Sequence, residues 1–83
     1  MDYEQILNER LEQLMNLKDM RARSQLWKVY KNCKDIYTKM SKEAVECRRK
    51  KHVSIKYTEL EKELNESINV FDQWMIMATL MYT

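Results

Sequence analysis

Eighty-three residues, 45% apolar and 34% charged, make one small domain at most, and one too hydrophobic to remain disordered. Glycine and proline are both absent where ordinary usage would supply about ten, which removes the common devices for tight turns and rules out a glycine loop around phosphate. The net charge is only +2, but thirteen of the fifteen lysines and arginines fall in residues 18–56 between acidic ends, an arrangement that suits either antiparallel helices neutralising one another or a basic surface for nucleic acid.

The composition predicts an all-α protein, and the first helix is expected over about 3–49. Asp2 is placed to cap it, with Glu4 favourable in its first turn. Tyr3, Leu7, Leu11 and Leu14 follow one another at helical steps, and the same line passes through Lys18 to Ala22. Asp19 and Arg23 form an acid-to-base pair four residues apart, which supports continuity across residues 18–24. From Ala22 the seam tightens: Leu26, Val29, Cys33, Ile36, Met40, Ala44 and Cys47 succeed one another by steps of three and four. It asks for a second helix.

The cations Arg48, Arg49, Lys50 and Lys51 interrupt that seam and suit the negative end of a helix dipole. A turn is predicted within about 48–56, with Ser54 as a candidate cap for the next helix and Thr58-x-x-Glu61 as a candidate capping box. The second helix is expected over about 55–82, on a seam of Tyr57, Leu60, Leu64, Ile68, Phe71, Met75, Ala78 and Tyr82 that begins at Val53. From Val70 the other faces also turn apolar, through Val70, Trp74, Ile76, Met77, Leu80 and Met81. A segment apolar on all sides needs burial, yet this one is shorter than the roughly 20 residues that span a bilayer. Its apolar stop is compatible with a piece of a longer protein.

Two helices of about 70 and 42 Å, folded on one another, leave the N-terminal half of the longer one uncovered. Another chain is expected to bury Leu7, Leu11, Leu14 and Leu17, most economically in a homodimer forming a coiled-coil-like four-helix bundle. The expected interface comprises Leu7, Leu11, Leu14, Leu26, Trp27, Val29, Ile36, Leu64, Ile68, Phe71, Trp74 and Met75. Replacing Leu14 and Ile68 together by Asp is expected to dissolve the assembly. The function this suggests is non-catalytic: protein–protein interaction, by self-association or by joining a larger helical complex.

The competing class is a nucleic-acid-binding helical protein using Lys28, Lys31, Lys34, Arg48, Arg49, Lys50 and Lys51. Trp27 lies off the main seam and fits packing in a bundle, a partner hot spot or base stacking. Tyr30 and Tyr37, interleaved with lysines, fit either a stacking surface or the margin of a core. His52 is the only histidine, and His52, Cys33 and Cys47 have no zinc-ligand spacing, so no metal, cofactor or catalytic set is expected. Cys33 and Cys47 stand about 21 Å apart along one helix, too far to bridge. With no apolar leader at the N-terminus, they suggest a reducing intracellular compartment, cytoplasmic or nuclear.

Overall fold

Helix α1 spans Tyr3–Met15 and starts as its sequence dictates: the Asp2 carboxylate accepts the Gln5 N–H at 3.2 Å, beside Glu4 in the first turn. In the computed structural model, which describes residues 2–81, it is followed by α2 over Met20–Lys50 and α3 over Ile55–Met81. The chain is all-helical. Tyr82, assigned to the last helix from its sequence, lies outside the described residues.

The single helix expected over 3–49 is broken at residues 16–19. Asp19 leaves helical geometry at φ −80° and ψ 122°, and its carboxylate accepts the Ala22 N–H at 2.9 Å, starting α2. Arg23 works on the other side of the break. Its guanidinium donates to the carbonyl oxygens of Met15 and Leu17, which the end of α1 leaves without intrahelical partners. The Asp19–Arg23 spacing that looked like support for continuity instead supplies both caps of an interruption.

Breaking there lets α1 fold back. Tyr3 Oη accepts from Asn65 Nδ2 at 3.0 Å, and Arg10 makes a two-pronged contact with Asp72, at 2.7 and 3.1 Å. Both pairs are 62 residues apart in sequence, so α1 and α3 run in the same direction. With α2 antiparallel to each, the longest dimension of the molecule is 49 Å, and the expected 70 Å rod does not exist.

One hydrophobic core joins the three helices. Tyr3, Leu7 and Leu14 meet Ala22, Leu26, Tyr30, Cys33, Ile36 and Met40 of α2, and Leu64, Ile68, Phe71 and Ala78 of α3. The predicted α2 seam is therefore the buried face, with Val29, Ala44 and Cys47 half-buried at its edge. Leu7 and Leu14, assigned from the sequence to another chain, are covered by their own.

The second reversal uses different chemistry. Lys51 adopts the left-handed conformation at φ 56°, where glycine would be the unstrained choice and none is present. Its N–H and that of His52 close the end of α2 onto the carbonyls of Arg48 and Cys47. Ser54 then caps α3: its hydroxyl accepts the Tyr57 N–H at 3.0 Å and donates to Glu43 at 2.8 Å. Of the two candidate caps, Ser54 is the one used, and Thr58 donates back to the Ser54 carbonyl.

Candidate interaction surface

Two helices packed side by side leave two grooves between them, and α1 lies along one. It covers that groove except at its own C-terminal end, where Gln13, Asn16, Leu17, Met75, Ala78 and Thr79 line a hollow of about 580 Å³. On that side Tyr3, Leu7 and Leu14 join the common core, and Tyr3 lines a smaller hollow with Tyr37, Met40 and Tyr57. No α1 residue lines the hollows of the opposite groove. There α2 presents Gln25, Val29, Asn32 and Ile36, and α3 presents Glu63, Ser67, Val70, Trp74, Met77 and Met81. The hollow between Leu26 and Trp74 encloses about 260 Å³, and the one between Val29 and Val70 about 440 Å³.

Exposure is uneven along this groove. Val70 is 43% exposed, Trp74 45%, Met77 59% and Met81 68%, four successive apolar positions at steps of four, three and four. Such spacing forms a continuous stripe on one side of a helix. Ile76 and Leu80 are exposed as well, on another side of α3. Large apolar side chains gathered at one end of a helix mark an interaction surface more often than scattered ones do.

The residues expected at an interface divide accordingly. Leu7, Leu14, Leu26, Ile36, Leu64, Ile68 and Phe71 belong to the internal core. Leu11, Val29 and Met75 are half-buried against it, which leaves Trp27 and Trp74 as the two substantially exposed members. The sequence marks the whole apolar run from Val70 as needing burial, and Val70, Met77 and Met81 are the members of it that line this groove beside Trp74. Trp27 lies off the open groove and rests on its own neighbour, with its ring 5.6 Å from that of the buried Tyr30. Burial pushes the Tyr30 phenol pKa up and removes this ring from any stacking surface.

The cationic set scatters. Lys28 and Lys31 are exposed on α2 and Lys34 is half-buried, while Arg48, Arg49, Lys50 and Lys51 ring the end of the helix. Arg49 pairs with Glu46 at 2.7 Å and holds that carboxyl below its ordinary pKa. Four consecutive helix-terminal residues point in different directions, so they build no flat face.

The centre of the molecule holds a small polar cluster. Cys33 Sγ lies 3.0 Å from Ser67 Oγ, which also accepts from Asn32 Nδ2 at 3.0 Å. Burial is the main reason the Cys33 thiol pKa is raised, and a raised thiol is a poor nucleophile at neutral pH. Both cysteines are free thiols. Among the described residues there is no group of three or more potential metal ligands and no helix long and apolar enough to cross a membrane. Comparison with protein-family models, curated proteins and solved structures finds no match to this chain.

Proposed function

We propose that this chain is a non-catalytic protein–protein interaction module, which works by self-associating, as a homodimer with a four-helix core, or by joining a larger helical complex. One observation carries the reading: the stripe of Val70, Trp74, Met77 and Met81 stands exposed beside a groove that α1 does not cover. Burying such a stripe against another helix is the ordinary way to remove it from water, at about 25 cal/mol for each Å² of apolar surface. The two free thiols suit a reducing compartment inside the cell. Sedimentation equilibrium across the micromolar range tests self-assembly. A mass that rises above 10.2 kDa with concentration is the expected result, and a monomer throughout overturns it.

A second reading, nucleic-acid binding, is favoured by the exposure of Lys28, Lys31, Arg48, Lys50 and Lys51. It requires a mobility shift at low salt that weakens steeply as salt is raised. No shift at low salt excludes it.

A further inference from the structure

We propose that the groove left open by α1 is filled by the same groove of a second copy, about a two-fold axis parallel to the helices, so that α2 of each copy lies against α3 of the other. This rests on the interaction-module reading and specifies its surface and occupant. Three features of the groove lead to it.

The first is matched periodicity. Along α2 the lip residues Gln25, Val29, Asn32 and Ile36 recur at steps of four, three and four, and the stripe continues into Lys39. Along α3, Val70, Trp74, Met77 and Met81 recur at the same steps, after Glu63 and Ser67. Each lip is thus a helix-packing seam partnered only along its inner edge, through Ile36, Ser67 and half-buried Val29. Gln25, Val70, Trp74, Met77 and Met81 are left exposed, and the two lips are antiparallel. A second copy supplies an antiparallel α3 for each α2, giving a four-helix core with both α1 helices outside.

The second feature is charge, which selects the axis. The α2 side of the groove carries Lys28, Asp35 and Lys39, a net positive charge, whereas the α3 lip carries Glu63 and Glu66. A two-fold axis perpendicular to the helices would set the basic side of α2 against the same side of its copy. An axis parallel to the helices sets the basic lip against the acidic one, twice. The levels also agree. The Asn32–Ser67 and Cys33–Ser67 contacts fix the register of α2 against α3, and they put Lys39 opposite residue 60, less than one turn from Glu63.

The third feature separates the two tryptophans. Trp74 sits on the seam and Trp27 does not: Trp27 is two residues from Gln25 and from Val29, far round the helix from both. Only Trp74 enters the dimer.

Sedimentation and circular dichroism on variants of the full chain provide the test. The wild type is expected to be a dimer. Trp74→Glu and Met77→Glu, both at exposed positions, should keep full helix content and weaken dimerisation roughly thirtyfold or more, the scale of losing a central aromatic anchor. Trp27→Glu should leave the dimer intact. Lys39→Glu and Glu63→Lys should each weaken it by roughly two- to fivefold, and combining them should restore it. A dimeric wild type whose mass is indifferent to both Trp74→Glu and Met77→Glu overturns this face while leaving the module reading standing. A dimer in which the combined charge exchange is worse than either single one overturns the axis. A monomeric wild type overturns both self-assembly and the second copy as occupant.

Discussion

The two grooves of the α2–α3 pair are built from the same helices, yet α1 closes one along most of its length and leaves the other open. On the closed side α1 inserts Leu7 and Leu14, and polar links at its margin, Arg10 to Asp72 and Tyr3 to Asn65, fix its position. On the open side Trp74, Met77 and Met81 stand in water with Lys28 on one lip and Glu63 on the other. Apolar content alone therefore does not tell an internal face from an external one in this chain. What differs is whether a helix of the same chain is near enough in sequence to fold over it. One 13-residue helix and one sharp reversal cover the first groove, and no described segment remains to cover the second.

The largest expected effects separate the two sides by stability. Leu14→Ala on the closed side removes a fully buried side chain and should cost about 3 kcal/mol, read as a lower urea midpoint with an unchanged slope. Trp74→Ala on the open side should move the stability of the dissociated chain by less than about 1 kcal/mol. The paired change Leu14→Asp and Ile68→Asp, chosen from the sequence to dissolve an assembly, should unfold the chain instead, because both sites lie in its own core. Cys33 offers an independent readout. Burial raises its pKa, so its protection from alkylation is strongest below the ordinary thiol range and declines as pH rises through the raised value. At neutral pH, Leu14→Ala should speed labelling of Cys33 by roughly a hundredfold and leave Cys47, half-buried in the last turn of α2, unchanged.

A smaller effect is expected at the break that creates the difference between the grooves. Arg23→Ala leaves the carbonyls of Met15 and Leu17 without their donor and should cost about 1 kcal/mol, with faster amide exchange in α1 than in α3. Asp19→Ala removes the cap of α2 and should cost about as much. Equal exchange in all three helices of the Arg23 variant would mean that α1 does not open separately.

This break is also where the sequence was hardest to read. The helical class, the α2 seam, the Ser54 cap and the turn before it were all legible, because each depends on neighbours within a few residues. Residues 16–19 contain no glycine or proline, and Asp19 followed by Arg23 is equally good chemistry for a continuous turn or for two caps. What decides between them is tertiary: a straight helix would leave Leu7 and Leu14 in water, and folding back buries both. Lys18 was the local sign, since it occupies a seam position that the continuous helix needs apolar, and it is exposed in the folded chain. The open groove was half legible. The apolar run after Val70 announced an excess of hydrophobic surface, but which members face outward depends on where α1 lies.

At the margin of the closed groove, Arg10 and Asp72 should couple only modestly. Their contact is two-pronged, but Asp72 remains 37% exposed, so solvent screens the pair and a double-mutant cycle should give about 0.5–1 kcal/mol. The coupling should fall as salt is added. A salt-independent value would indicate that the two side chains matter through packing and not through charge.

The smallest expected effect is a gain, at the reversal that both grooves share. Lys51 holds a left-handed conformation that costs a residue with a Cβ roughly 1–2 kcal/mol. Lys51→Gly removes that cost but adds freedom to the unfolded chain, worth about 0.4–1 kcal/mol in the other direction. It also removes one cation from the end of α2, a loss of a few tenths of a kcal/mol that Arg48, Arg49 and Lys50 limit. The balance should be a stabilisation of about 0.5 kcal/mol, or a rise in Tm of about 2–4 °C. Lys51→Ala keeps the conformational cost and should give no gain. Because the turn lies outside both grooves, Lys51→Gly should raise Tm without moving the dimerisation constant. If it shifted both, the turn would be part of the assembled surface, and the division between a closed internal groove and an open external one would have to extend to the end of the hairpin.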